Sequence, residues 1–228
     1  MRITLPKILI AAALLLIITL QGPECYIMLM NFPAAHIPKA VLFDMDGTLT
    51  VPTFDFPAVR RAIGLPEGAP ILEHVALMPE AQRLSAEIIL RQFEDEVADK
   101  APLAQGCHDV LQYLIGRDIK LALITRNRRS SVTTFFKRYP LPIEIWITRE
   151  DAPHKPDPAP LLMACKQLGV EPGDCWMVGD GVYDIEAGIN AGMRTVWLSW
   201  KRPRYFAAAP WHEVEDLCGL HDFLQQLD

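Results

Sequence analysis

The run AVLFDMDGTLT, residues 40–50, closes an apolar stretch on two carboxylates one residue apart, Asp44 and Asp46, with Gly47 and Thr48 directly behind them. An unpaired carboxylate in an apolar setting is strongly disfavoured, so something must offset that cost. A divalent cation would do so: Mg²⁺ commonly uses one or two carboxylates together with the phosphate oxygens of a ligand. A second acidic pair, Asp180 and Asp184 in GDGVYD, follows another apolar run and can join the first around the same ion. Gly47 permits a turn that a side chain would hinder, and Thr48 is expected to hydrogen-bond within that turn.

The elements that must carry these residues are short β-rich runs alternating with helical stretches from Lys39 onward: AVLFD, KLALIT from Lys120, IEIWIT from Ile143, CWMVGD from Cys175 and TVWLSW from Thr195. Apolar runs of this length, bounded by Gly, Asp or Pro and separated by helix-length segments, predict an α/β fold with a parallel sheet covered on both faces. Asp157 and Pro158 open a helix that stops near Gly169, and a shorter helix lies between Asp184 and Gly192. The last residues, EVEDLCGLHDFLQQL, read as a closing helix. Sites in such sheets form beyond the carboxyl ends of the strands, where Asp44, Thr125 and Asp180 fall.

Between Thr50 and about Gly106 the alternation stops. Residues 51–105 are expected to form a helical insert over the site, with MPEAQRLSAEIILRQFEDEVADK as an amphipathic helix burying Leu84, Ile88, Phe93 and Val97. Arg60, Arg61 and His74 are candidate contacts from this lid to an anionic substrate, although solvated surface residues read the same way.

Half of the 228 residues are apolar and 22% are charged, a globular profile. The net charge of −6 gives no basic footprint for nucleic acid. Five cysteines without a C-x-x-C pair suggest neither a disulfide framework nor a zinc site. The first thirty residues are a separate matter. Arg2 and Lys7 precede an uncharged apolar run from Ile8 to Leu20, short of the roughly 20 residues that span a bilayer. The segment reads as a signal peptide without a good cleavage pattern, as an anchor, or as sequence upstream of a true start at Met28 or Met30. The last reading gives a cytoplasmic protein; the others give export or membrane attachment through residues 1–25. Oligomeric state is not legible.

Taken in order, D-x-D-G-T after a strand, Thr125 after a second, Lys155 in HKPDP and GDGVYDIEAG after a later strand resemble the four motifs of the haloacid dehalogenase (HAD) superfamily, in particular phosphoglycolate phosphatase-like members with a small helical cap of the C1 type. The resemblance runs from about Lys39 to the end. It implies a doubly wound, Rossmann-like core over residues 38–50 and 106–228, with residues 51–105 as the cap. It further implies Asp44 as nucleophile forming an aspartyl phosphate and Asp46 as general acid and then base. Thr125, Arg126, Asn127 and Lys155 would bind the phosphoryl group or its bearer, with Thr125 and Lys155 also counted in the catalytic set. Mg²⁺ would be held by Asp44, Asp46, Asp180 and Asp184, the last acting through water or by orienting Lys155; as an aspartate, Asp184 also suits the N-cap of the helix that it precedes. The implied reaction is hydrolysis of a small phosphorylated metabolite. Asp46 argues against the carbon-attacking dehalogenases. A phosphomutase of the same superfamily is the alternative, and a phospho-accepting receiver module is a reading from a different class.

Overall fold

The computed structural model describes residues 37–227, so the readings of the first thirty residues fall outside the described region. Among the described residues no helix is long and apolar enough to cross a membrane.

Six strands form one sheet: β1 (Ala40–Phe43), β2 (Lys120–Ile124), β3 (Ile145–Ile147), β4 (Cys175–Gly179), β5 (Arg194–Leu198) and β6 (His212–Val214). Their order is β3-β2-β1-β4-β5-β6 and every pairing is parallel. The chain therefore moves outward from β1 first to one side and then to the other, and the switch point lies between β1 and β4. β1 is buried along its whole length, with Val41 opposite Leu121 on one neighbour and Trp176 on the other. Both faces of such a strand must be covered, which is why it reads as a continuous apolar run.

The helices are α1 (Phe56–Ile63), α2 (Ile71–Ala76), α3 (Glu80–Lys100), α4 (Cys107–Ile115), α5 (Arg129–Arg138), α6 (Ala159–Leu168), α7 (Val182–Asn190) and α8 (Leu217–Gln225). Alternation along the strands assigns them to faces. Ala40, Leu42, Ala122, Ile124, Cys175 and Met177 pack with Leu161 and Ala164 of α6 and Ala187 of α7. On the opposite side Trp176 meets Phe223 of α8, and Phe136 of α5 stacks on Trp146. The sheet is thus doubly wound, as expected. α6 ends at Gly169 in a left-handed cap, φ +66°, and Asp157 accepts from the Ala159 N–H at its start.

Three expectations need correction. The strand read as IEIWIT from Ile143 is shorter, since only Ile145–Ile147 pairs with β2. The segment read as one closing helix is split: its front, with the residue before it, is β6, and α8 begins only at Leu217, where Asp216 accepts from the Gly219 N–H at 2.9 Å. β6 is three residues, HEV, too short and too polar to show a strand period. The buried face of α3 is also not the one predicted. Leu84 and Ile88 are 51% and 58% exposed, Phe93 and Val97 only partly buried, and the residues that turn inward are Ala86, Leu90, Glu94 and Ala98. Their spacing of four follows the helix turn closely, but two alanines and a glutamate carry little apolar signal.

α1, α2 and α3 share a small core of their own, built on Val59, Ile71, Val75, Ala86 and Leu90. The chain leaves and returns at one neck, where Thr50 bridges Leu103 and Val51 N–H donates to Pro102 O at 3.0 Å.

Candidate active site

Asp44 follows β1 directly and its N–H donates to Val178 O of β4 at 3.0 Å, which places its carboxylate at the switch point. The chain then makes one wide turn, Met45–Leu49, closed by Thr50 N–H on Met45 O at 3.1 Å. Gly47 has φ +80° there, and a Cβ on it would lie 2.4 Å from Asp180 Oδ2. Glycine is needed for both conformation and space. The hydroxyl that braces the turn is not Thr48, whose Oγ1 is buried without a partner, but Thr50, which accepts from Gly47 N–H and donates to Met45 O.

Lys155 is 1% exposed. Its Nζ donates to Asp44 Oδ1 at 2.7 Å, Asp184 Oδ1 at 2.6 Å and Ile124 O at 2.7 Å. An ammonium has three hydrogens, so its capacity is filled. Burial alone would lower its pKa, but Asp184 and Asp44 outweigh that and raise it. Asp184 sits in the first turn of α7, not ahead of it, and its Oδ2 accepts from Gly181 N–H at 3.0 Å. It caps the helix and fixes the lysine at once. Asp180 accepts Arg202 Nη2 on Oδ2 at 2.9 Å, while its carbonyl takes Trp197 Nε1 at 2.9 Å.

Asp46 accepts from Asn127 Nδ2 on Oδ2, and its Oδ1 is buried without a protein partner. Burial first, then the charge of Asp44, pushes its carboxyl up to about 7, against the Asn127 hydrogen bond. Asp44 is likewise raised to about 7, mainly by burial and against Lys155, and Asp180 to about 6 by burial and Asp184. Such environments favour a protonated carboxyl near neutrality, which a general acid requires.

Asp44, Asp180 and Asp184 each offer one oxygen, all within 4.8 Å of one another. With Asp46 they make four carboxylates, against Lys155 and Arg202 as the basic groups that touch them. All-oxygen donors with negative charge in excess fit a hard divalent cation.

Thr125 follows β2, and its Oγ1 accepts from Asn127 N–H at 3.1 Å, shaping the loop beside the lysine. Arg126 is held by three partners: its Nη2 meets Glu73 Oε1 of α2 at 2.8 Å, its Nη1 donates to Lys155 O, and it lies 4.0 Å above the Tyr183 ring. Two of the lid candidates serve the insert itself, since Arg60 Nε donates to Ala69 O and His74 Nδ1 meets Pro70 O at the start of α2. Arg61 is exposed.

A family model described as haloacid dehalogenase-like hydrolase matches residues 38–192. The chain belongs to the haloacid dehalogenase-like hydrolases. It is 35% identical over 191 residues to a haloacid dehalogenase-like hydrolase domain-containing protein of Arabidopsis thaliana, covering 77% of this chain and 78% of that one. It is 31% identical over 198 residues to phosphoglycolate phosphatase 1 of Pseudomonas aeruginosa, covering 74% and 72%. In fold it is similar to a hydrolase from Pseudomonas syringae, with TM-score 0.71 at 20% identity, over 82% of this chain and 98% of that one.

Sequence reading missed two supports of this HAD-like site. Glu94 of α3 is buried and grips two arginines of the core: its Oε2 takes Arg128 Nε at 3.0 Å and Arg149 Nη2 at 3.1 Å, and its Oε1 takes Arg149 Nη1. Arg149 Nη1 also donates to Arg126 O at 2.8 Å, so the insert helix braces the loop that carries Thr125 and Asn127. After β5, Trp200 Nε1 donates to Gly47 O at 2.7 Å and ties the last loop to the turn behind Asp44. Trp200 and Lys201 adopt positive φ, 52° and 60°, a conformation that non-glycine residues rarely hold without surrounding constraint. No spacing signalled either feature.

Proposed function

We propose that this HAD-like hydrolase is a Mg²⁺-dependent phosphatase acting on a small phosphomonoester through an aspartyl-phosphate intermediate. One observation carries the reading: Asp44 stands at the end of β1 in contact with buried Lys155, with the unpartnered Asp46 Oδ1 two residues on. Asp44 attacks phosphorus; its oxygen bonds to phosphorus as the ester P–O bond breaks. Asp46 gives its proton to the departing alkoxide, then takes one from the water that attacks the aspartyl phosphate, returning Asp44 and releasing phosphate. Lys155 balances charge between nucleophile and phosphoryl oxygens, and the Thr125–Asn127 loop supplies backbone donors to them. Mg²⁺ held by Asp44, Asp180, Asp184 and the Asp46 carbonyl would neutralise the crowded carboxylates and the substrate phosphate. The insert over residues 51–105 acts as the cap of the site. The relative named a phosphoglycolate phosphatase supports the phosphomonoester class.

The test is release of phosphate from p-nitrophenyl phosphate by purified protein with Mg²⁺. Many turnovers per chain are expected, lost in Asp44→Asn with the thermal melt retained. A single stoichiometric labelling would instead support a receiver, and undiminished turnover in Asp44→Asn would remove the proposed nucleophile.

A further inference from the structure

We infer that Glu73 and Arg126 form the specificity contact of this site and select a phosphomonoester whose leaving group bears hydroxyls over one bearing a carboxylate. The inference rests on the phosphatase reading above. Arg126 directly follows Thr125, and Glu73 comes from α2 of the insert, so their 2.8 Å ion pair joins the cap to the phosphate loop. Tyr183, whose ring lies under the Arg126 guanidinium, is the residue before Asp184. The contact therefore borders the reacting groups on the side facing the insert, where the organic part of a substrate would extend.

Its chemistry is one-sided. One Arg126 terminal nitrogen is taken by Glu73 and the other by Lys155 O, and its face is occupied by Tyr183. Both terminal nitrogens and one face of the guanidinium are thus engaged by protein groups, which disfavours its capture of a substrate carboxylate as a bidentate pair. Glu73 is the opposite case. Its Oε1 is paired, with the His154 ring 3.8 Å away, but its Oε2 is buried and no protein group donates to it. A buried carboxylate oxygen without a donor is costly, and a hydroxyl supplied by the ligand removes that cost. A substrate carboxylate would bring a second acceptor and a like charge to the same place.

The experiment compares kcat/KM of the full chain with Mg²⁺ on glucose 6-phosphate, glycerol 3-phosphate, ethanolamine phosphate and 2-phosphoglycolate, with p-nitrophenyl phosphate as reference. Wild type is expected to favour glucose 6-phosphate over 2-phosphoglycolate by about 10–100-fold, the range for a hydrogen bond to a charged group. Glu73→Gln, isosteric and at a partly exposed position, should narrow that ratio at least about fivefold through KM while kcat changes little. Wild-type preference for 2-phosphoglycolate, or a ratio that Glu73→Gln leaves within twofold, overturns the inference while the phosphatase reading stands. Preference for ethanolamine phosphate over both hydroxylated probes also overturns it, the donor then being an ammonium. Absence of p-nitrophenyl phosphate hydrolysis in wild type defeats the phosphatase reading and this inference with it.

Discussion

Lys155→Met keeps most of the side-chain stem and removes only the charge and three donors, so it isolates what the ammonium does. In the native site Nζ is bonded at 2.6–2.7 Å to two carboxylates and one carbonyl. The variant leaves all three acceptors without that donor in a place where Lys155 itself is 1% exposed. Removing one member of a buried ion pair costs about 3–5 kcal/mol, because the remaining charge is uncompensated. For a domain of this size each kcal/mol moves Tm by about 2–4 °C, so a drop of roughly 6–20 °C is expected by thermal melt at pH 8 with chelator present. The deficit should shrink at pH 5. Lys155 opposes the upward shift of Asp44, so without it the carboxyl rises further and is protonated there. Adding Asp184→Asn to the variant should recover part of the loss, since the second uncompensated charge goes too. A Tm within about 2 °C of wild type at pH 8 refutes the claim that this lysine holds the acidic cluster together.

The carboxyls of Asp44 and Asp46, raised to about 7, and of Asp180, raised to about 6, set a second expectation. The unfolded chain loses these protons near 3.8 and the folded chain later, so the folded state binds more protons between about 4 and 7 and stability falls as pH rises through that window. Without divalent cation, Tm should increase as pH is lowered from 8 to 5.5, and Mg²⁺ should flatten that slope; parallel slopes with and without Mg²⁺ would count against the cation site. Gly47→Ala should cost about 1–2 kcal/mol for a left-handed alanine and, by pushing Asp180 off its place beside Arg202, lower Mg²⁺ affinity about 10–100-fold. Calorimetric titration with Mg²⁺ and a thermal melt check both parts, and an unchanged affinity would show that Asp180 does not serve the ion.

The fold was legible where burial is two-sided and continuous. β1, β2, β4 and β5 are apolar runs because helices cover both faces, and their ends announce Asp44, Thr125 and Asp180. β3 was overextended at both ends, since only Ile145–Ile147 pairs with β2, and β6 escaped because three residues at the sheet edge need no apolar period. The face of α3 was misread for a related reason. Leu84 and Ile88 are its conspicuous residues, yet the helix is held inward by alanines that permit close approach and by Glu94, which a hydrophobic pattern counts as solvent-facing.

The same limit explains which part of the site stayed hidden. Asp44, Asp46, Asp180 and Asp184 stand at or just after strand ends or in the first turn of a helix, where local sequence dictates geometry, and Lys155 is marked by the loop HKPDP ahead of α6. Glu73 and Glu94 act at range, meeting Arg126 and Arg149 across 53 and 55 residues of chain. In the sequence each is a charge on an insert helix, indistinguishable from its solvated neighbours. Only folding the insert onto the core reveals that Glu94 is neutralised on both sides while Glu73 keeps one oxygen free of protein donors. The first arrangement is closed and structural. The second leaves a buried acceptor unmatched, and an unmatched acceptor beside the Thr125–Asn127 loop is where a substrate's own donors can be read.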